Sequence, residues 1–147
     1  MQLKFKGNMK VLLLMVDKTE NGICKVGLND YAGRLTHYLP FEYKEIKDEQ
    51  ILKLIQPGDT VVLLDERGEE RRSIEFAEWL QRKMNSAKRL VFVIGGPFGF
   101  SKDVYARADE MISLSRMTFS HQMVRVIFTE QLYRACTILK GEKYHHE

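Results

Sequence analysis

Three segments of the sequence hold residue types that could bind a small molecule or transfer a proton. The turn at 95–99 reads Gly-Gly-Pro-Phe-Gly, and glycine lets a ligand approach the backbone closely because it has no side chain. The segment 113–122 mixes serine hydroxyls, large apolar side chains and His121. Near the end of the chain, Tyr144 stands beside His145, and an imidazole can exchange protons near neutral pH. These residue types suit a pocket that holds a polar ring and moves a proton.

Each of these segments also has a simpler interpretation. The turn at 95–99 lacks both the GxGxxG pattern and the Lys-Ser/Thr pair of a phosphate loop, so it is equally typical of a tight turn without a ligand. The segment 113–122 is compatible with a plain loop followed by a helix that Ser120 caps. Polar chain ends are often disordered, and His145 and His146 are too few to indicate a metal site. Residue types alone leave both interpretations open.

Short apolar runs precede the first two segments and predict the strands that position them. Continuous runs at 11–16, 60–65 and 90–94 are typical of strands buried on both faces. The sequence also predicts strands at 41–46 and 111–114, and helices at 21–38, 49–55, 73–85, 103–108 and 120–140. This alternation indicates an α/β fold, a mostly parallel sheet flanked by helices. Such sheets bind ligands at the carboxyl ends of their strands, where both segments begin.

The same patterns predict which side chains face inward and where elements end. Ser73 is predicted to cap the helix at 73–85, and Gly141 to end the last helix. The Arg-Gly pair at 67–68 is predicted to turn the chain after the strand at 60–65. The apolar stripe predicted for the first helix consists of Ile23, Val26, Leu28, Tyr31 and Leu35.

The composition limits the kind of protein this is. The chain has 147 residues, about one domain, and a net charge of +3, of which Lys4 and Lys6 contribute two. We expect 1–8 to be an upstream start or a non-native leader and 9–147 to be a single domain, with a charge of 3 − 2 = +1. The strongly basic character usual in nucleic-acid binding is absent. A polyanion would need a local patch. Arg67, Arg71 and Arg72, together with Arg125 and Arg134 on the last helix, could form one, and are otherwise a solvated surface.

Cysteine usage and hydropathy predict the compartment. Cys24 and Cys136 lie far apart without metal-ligand spacing, so we expect reduced thiols and no metal. No apolar run approaches the ~18 residues of a membrane span, and the run at 11–16 is too short for a secretory signal. The expected location is the cytoplasm.

Four stretches taken together resemble one protein family. They are 91–101 (VFVIGGPFGFS), 112–125 (ISLSRMTFSHQMVR), 130–135 (EQLYRA) and the pair Tyr144-His145. In this order they are similar to the ribosomal RNA large subunit methyltransferase H family of the SPOUT superfamily, the pseudouridine N3-methyltransferases of 23S ribosomal RNA. The resemblance runs from about Met9 to the end of the chain and is strongest from Leu90 onward.

The resemblance implies a fold, an assembly and a cofactor. It implies that the α/β sheet carries a C-terminal trefoil knot, that the protein is a homodimer, and that S-adenosylmethionine binds in the knot. The implied cofactor-binding residues lie at strand ends and in the loop after the last strand; they are Leu64, Asp65, Gly95, Gly96, Leu114, Ser115, Arg116, Met117, Thr118, Phe119 and Ser120.

The resemblance also implies an activity, namely N3-methylation of a pseudouridine in helix 69 of 23S ribosomal RNA within the assembled ribosome. The implied catalytic residues are His121, Tyr144 and His145. The implied RNA contacts are Arg125, Arg134 and His146. Two alternatives stay open: a methyltransferase of transfer RNA, and a non-catalytic knot protein that binds the ribosome. A chain without a separate RNA-binding domain makes the first less suitable.

The sequence departs from the family pattern at three places. Ser120 stands where many members have proline, His146 stands where some have arginine, and the stretch 47–56 is shorter than usual. None of these departures touches the glycine turn, so they bear on RNA contacts more than on cofactor binding.

Overall fold

Five parallel strands form one sheet in a computed structural model that describes residues 9–86 and 88–146. The strands are β1 (Lys10–Val16), β2 (Phe41–Ile46), β3 (Asp59–Glu70), β4 (Arg89–Ile94) and β5 (Glu110–Ser113). Their order across the sheet is β2-β1-β4-β3-β5. The three continuous apolar runs therefore form the centre of the sheet, where side chains are buried on both faces. The predicted leader at 1–8 lies outside the described residues.

Within the described residues five α-helices connect or flank the strands, and short polar side chains cap the start of two of them. They are α1 (Gly22–Leu35), α2 (Ile51–Leu54), α3 (Ser73–Ser86), α4 (Lys102–Arg107) and α5 (Met123–Leu139). Asn21 Oδ1 accepts the Cys24 amide at the start of α1, and Ser101 Oγ accepts the Val104 amide at the start of α4. Gly141 has φ +71° and ends α5 as predicted. Within the described parts of the chain, no helix has the length and apolarity that crossing a membrane requires.

The helices cover both faces of the sheet, which gives a three-layer α/β fold. On one face α5 packs between α1 and α3, over a core in which the rings of Phe92 and Phe128 lie 4.8 Å apart. On the other face α2 and α4 cover a smaller aliphatic core that includes Ile51 and Val104. The carboxyl ends of β3, β4 and β5 consequently meet at one edge, and α5 begins above that edge.

β3 is longer than the sequence predicts, because the chain does not turn at 67–68. After a register shift, β3 resumes pairing, with Glu69 opposite Ile112 and Glu70 opposite Ser113. Gly68 permits this close approach: a Cβ at this position would lie 2.6 Å from the Ile112 backbone. The glycine that suggests a turn instead stands where a side chain would collide with the backbone of the neighbouring strand.

One further local prediction is wrong and another holds only in part. In the predicted apolar stripe of α1, Leu28 and Leu35 are buried, but Ile23 is 81% exposed and Val26 is 71% exposed. The buried positions of α1 are Cys24, Leu28, Ala32 and Leu35. Ser73 does not cap α3 from outside: it is the first residue of the helix, and its Oγ donates to Gln131 Oε1 on α5 at 2.8 Å. Tertiary contacts therefore override both local patterns.

Candidate functional site

A cleft of about 610 Å³ opens at the carboxyl ends of β3, β4 and β5. Its walls are the ends of those strands, the glycine turn after β4, and the loop that leads from β5 to α5. The residues that line it are Leu64, Asp65, Glu66, Arg67, Ile94, Gly95, Gly96, Pro97, Gly99, Phe100, Tyr105, Ile112, Ser113, Leu114, Ser115, Met117, Thr118, Phe119, Ser120, His121 and Val124. The volume lies within the roughly 300–1,000 Å³ typical of small-molecule sites.

The glycine turn leaves bare backbone on one wall of the cleft. A Cβ on Gly95 would lie 3.1 Å from the Phe100 ring, and one on Gly96 would lie 3.3 Å from Val16 Cγ1. Gly99 has φ +75°, and its amide donates to the Gly96 carbonyl at 3.1 Å. Side chains at these positions would crowd the packing behind the turn, so glycine keeps the backbone close to whatever occupies the cleft.

Asp65 places a carboxylate in β3 directly after the part that pairs with β4, and its side chain is only 9% exposed. Tyr105 on α4 donates its hydroxyl to Asp65 Oδ2 at 2.5 Å, and the Arg67 amide donates to Asp65 Oδ1 at 2.9 Å. Burial alone would raise the pKa of Asp65, but these hydrogen bonds and the charge of Arg67 lower it. The carboxylate is therefore ionised at neutral pH and still has lone pairs for a ligand hydroxyl or amine.

Serine side chains fold the loop between β5 and α5. Ser115 Oγ accepts the Met117 amide at 3.0 Å, and Ser120 Oγ accepts the Met123 amide at 3.1 Å. The loop exposes Met117 to 75% and supplies Phe119 as an apolar wall. This wall combines an apolar surface with backbone amides and His121, which suits recognition of a flat polar ring.

The structure brings most of the predicted cofactor residues to one place. Ten of the eleven line the cleft. Arg116 is the exception, because its side chain is 92% exposed and its Nε donates to Glu70 Oε1 at 3.1 Å outside the cleft. Sequence reasoning missed Tyr105 and Phe100, which also line the cleft. The sequence does show an aromatic residue, Tyr105, in the helix that follows the glycine turn. It does not show that Tyr105 contacts Asp65, which lies 40 positions earlier in the chain.

Arg125 corrects a prediction, because it is a buried structural residue and not an RNA contact. The side chain is fully buried. Its Nη2 donates to the Val16 carbonyl at 2.6 Å and its Nη1 to Thr19 Oγ1 at 2.7 Å. Its Nε donates to the His121 carbonyl at 3.0 Å. Burial lowers the pKa of Arg125 despite nearby carboxylates. This guanidinium ties the start of α5 to the end of β1, where no phosphate can reach it.

The C-terminal tail forms a second polar cluster, folded back against α5. The Tyr144 hydroxyl donates to Glu130 Oε2 at 2.6 Å, and Arg134 Nη2 donates to the same oxygen at 2.9 Å. Arg134 Nη1 lies 3.0 Å from His145 Nδ1. Burial, followed by the hydrogen bond to Glu130, raises the pKa of Tyr144. His146 is exposed at the end of this cluster.

The two clusters are separate within one protomer. Val124 lines the cleft, whereas Arg134 holds the tail ten residues further along α5, a distance of about 15 Å along the helix axis. His121 therefore lies at the cleft, and Tyr144 and His145 do not line it. Among the described residues, no group of three His, Cys, Asp or Glu side chains could hold a metal ion.

Sequence comparisons place the chain among methyltransferases. The sequence model of the family described as predicted SPOUT methyltransferase matches residues 9–145. The ribosomal RNA large subunit methyltransferase H of Parabacteroides distasonis is 52% identical over 95% of this chain and 100% of its own length. The protein of the same name from Bacteroides thetaiotaomicron is 51% identical with the same coverage.

Solved structures with a similar fold are much more distant in sequence. A probable methyltransferase from Bordetella pertussis has a TM-score of 0.55 at 10% identity, over 87% of this chain and 95% of its own. A probable methylase family protein from Haemophilus influenzae has a TM-score of 0.56 at 10% identity, over 96% of this chain and 71% of its own. At this identity the similarity concerns the fold alone.

Proposed function

The chain belongs to the SPOUT methyltransferase family, and on that premise we propose that it methylates N3 of a pseudouridine in helix 69 of 23S ribosomal RNA, using S-adenosylmethionine. The substrate is the assembled ribosome in the cytoplasm. The observation that carries the proposal is the cleft at the strand ends, whose lining includes ten of the eleven residues expected to bind the cofactor. Relatives that are about half identical carry the name ribosomal RNA large subunit methyltransferase H.

The residues of the cleft fit an adenosine joined to a cationic sulfonium. Leu64, Leu114 and Phe119 offer apolar surfaces for a flat base. The bare backbone at Gly95 and Gly96 allows close approach of the ligand. The ionised Asp65 supplies a negative charge and an acceptor for ribose hydroxyls. When bound, the cofactor would supply a methyl group that is already electrophilic.

The chain's own residues must remove the N3 proton of the target base. Arginine only donates hydrogen bonds, so His145 Nδ1 accepts from Arg134 Nη1, 3.0 Å away. That contact occupies the Nδ1 lone pair. Tyr144 keeps its proton at neutral pH because its pKa is raised. We therefore assign proton acceptance to His121 at the cleft, and orientation of the base to Tyr144.

A homodimer would bring the tail to a cleft. Ile23, Val26 and Met123 are exposed at adjoining ends of α1 and α5, where Cys24 Sγ lies 3.4 Å from Met123 Sδ. Exposed apolar patches of this kind are typical of protein interfaces. We propose that this patch pairs two protomers, so that the tail of one protomer reaches the cleft of its partner.

A trefoil knot is consistent with the connectivity. β5 lies at the edge of the sheet beyond β3, whereas α5 returns to pack between α1 and α3. We propose that the chain passes through the loop formed by β3, α3 and β4 on this return. This would be one of the rare exceptions to the rule against threaded chains.

Labelled methyl transfer tests the reaction directly. Purified protein and methyl-labelled S-adenosylmethionine are incubated separately with assembled ribosomes, free 23S ribosomal RNA and transfer RNA, and the labelled nucleoside is identified by mass spectrometry. We expect N3-methylpseudouridine in ribosomes only. Label in transfer RNA would establish the alternative methyltransferase, and binding to ribosomes without label would establish the non-catalytic one.

The assignment of His121 has its own test. We expect His121→Ala to lower the rate at least about 100-fold, the usual contribution of a general base. His37→Ala is the matched control because His37 is an exposed histidine in the turn that follows α1. A normal rate in His121→Ala together with a large loss in a His145 variant would transfer the role to His145. Calorimetric titration with S-adenosylmethionine should give the same affinity for wild type, His121→Ala and His37→Ala.

A further inference from the structure

A second cleft of about 240 Å³ adjoins the first and contains positive charge. It lies between the end of β3, the start of α3 and the middle of α5. Arg71, Arg72, Ser73 and Gln131 supply its polar lining. Leu114 and Phe119 line both clefts, so the two spaces lie on either side of one wall. Neither the predicted cofactor residues nor the proposed base explains this second cleft.

Arg71 is held inward at this cleft in an unusual environment. Its side chain is only 14% exposed, and its guanidinium lies 5.4 Å from the centroid of the Trp79 ring. Its Nη2 donates to Glu69 Oε2 at 3.2 Å, a carboxylate whose own side chain is 72% exposed. Its Nη1 is buried and has no hydrogen-bond partner among the described residues. A buried donor without an acceptor is unfavourable, but Nη1 has almost no accessible surface, so an acceptor from outside must meet Arg71 at the atoms that line the cleft.

The chemistry of the lining selects an oxyanion as that acceptor. A planar guanidinium with several donors matches phosphate oxygens, and it is weakly enough hydrated to work in a partly buried site. The Ser73 hydroxyl, which donates to Gln131 Oε1, and the Gln131 amide add polar groups to the lining. The Glu69 carboxylate that Arg71 contacts faces solvent, so it compensates the charge of Arg71 only weakly. The Glu110 carboxylate also attracts Arg71, but it is bonded to Lys83 and to the Trp79 Nε1–H.

We infer that the second cleft binds a backbone phosphate of the substrate RNA, next to the nucleotide that enters the first cleft, and that Arg71 is its principal ligand. This inference rests on the proposed function for the identity of the polyanion. The shared wall gives the physical reason: an RNA strand that presents a base on one side of Phe119 carries its phosphates along the other. A site of this kind holds the strand in register and carries no sequence information.

The only tryptophan of the chain reports on this site. Trp79 contacts the Arg71 guanidinium, so its fluorescence should change when inorganic phosphate binds at constant ionic strength, with chloride as the comparison anion. We expect a saturable change in wild type and in the Arg82→Gln variant. Arg82 is an exposed arginine on α3, the helix that carries Trp79. We expect none in Arg71→Gln. Arg71→Lys keeps the charge and should bind phosphate more weakly, and circular dichroism checks that both variants fold.

Kinetics on ribosomes distinguish an RNA contact from a site for free phosphate. We expect Arg71→Gln to lower kcat/KM about tenfold through KM, as for a lost hydrogen bond to a charged group. The slope of log KM against log salt should fall by about one, and S-adenosylmethionine affinity should not change. A fluorescence response with unchanged kinetics would overturn the RNA assignment. No response in wild type would overturn the site itself. If wild type does not methylate ribosomes, the proposed function is wrong. The fluorescence titration still tests whether the second cleft binds phosphate.

Discussion

Replacing Arg125 by lysine tests whether this residue is a structural tie or an RNA contact. The guanidinium donates to the carbonyls of Val16 and His121 and to the Thr19 hydroxyl, at 2.6, 3.0 and 2.7 Å. These three acceptors lie in different directions around a fully buried side chain. Lysine carries a single ammonium on a flexible stem. It therefore cannot serve all three acceptors from one position.

The expected loss of stability follows from the number of acceptors left without a donor. Each buried acceptor without a hydrogen-bond donor costs about 1–3 kcal/mol. If Arg125→Lys leaves two of the three acceptors without a donor, it should lower the free energy of unfolding by about 3 kcal/mol. Arg125→Met removes all the donors and the cation near Glu45, 3.7 Å away, and should cost roughly 5 kcal/mol. The total free energy of unfolding of a single domain is about 5–15 kcal/mol, so the lysine variant should remain folded.

Urea unfolding followed by the fluorescence of Trp79 measures this loss. All variants are measured at the same chain concentration, because the proposed homodimer would make stability depend on concentration. Arg82→Lys, on the exposed side of α3, serves as the control and should unfold like wild type. The salt dependence of ribosome binding should be the same for wild type and Arg125→Lys. Wild-type stability combined with a weaker salt dependence would refute the structural role and restore an RNA contact.

Four further changes test the cleft, the packing of the strands and the assembly. Gly68→Ala should separate β3 from β5, because its Cβ would lie 2.6 Å from backbone, and calorimetry should show loss of S-adenosylmethionine binding. Gly33→Ala, with nothing within 4 Å in α1, should raise the melting temperature slightly. Tyr105→Phe removes the hydroxyl that holds the Asp65 pKa low. Its urea-measured stability deficit should therefore be largest at neutral pH and vanish as the pH falls through the folded-state pKa of Asp65; a constant deficit would contradict this coupling. Val26→Asp should give monomers by light scattering and abolish methyl transfer, whereas active monomers would contradict the interface.

Local patterns were sufficient for the sheet and for most of the first cleft. The prediction for β2 matches its observed bounds, Phe41–Ile46, and the predicted ends of β4 and β5 lie within one residue of the observed ends. Continuous apolar runs predict buried central strands because only a strand covered on both faces can hide every side chain. The carboxyl ends of such strands then locate the cleft, since parallel strands present those ends at the same edge.

The errors occur where a residue type is compatible with two environments. Gly68 suits a turn as well as a close approach of two strands, and only the position of β5 shows which applies. Ile23 and Val26 have apolar side chains whether they face a core or a partner. Arg125 has the charge of an RNA ligand, and nothing in its neighbours along the chain indicates that it lies beneath α5.

The sequence by itself determined the order of strands and helices along the chain, the edge of the sheet at which the first cleft opens, and the family. These depend on patterns over a few adjacent residues, which a single chain displays directly. The tertiary structure decided which charges are buried, that Tyr105 contacts Asp65, and that Arg71 faces a second cleft beside Trp79. Those contacts join residues that are distant along the chain, and burial and hydrogen bonding depend on every element packed around a side chain, not on its own neighbours in sequence.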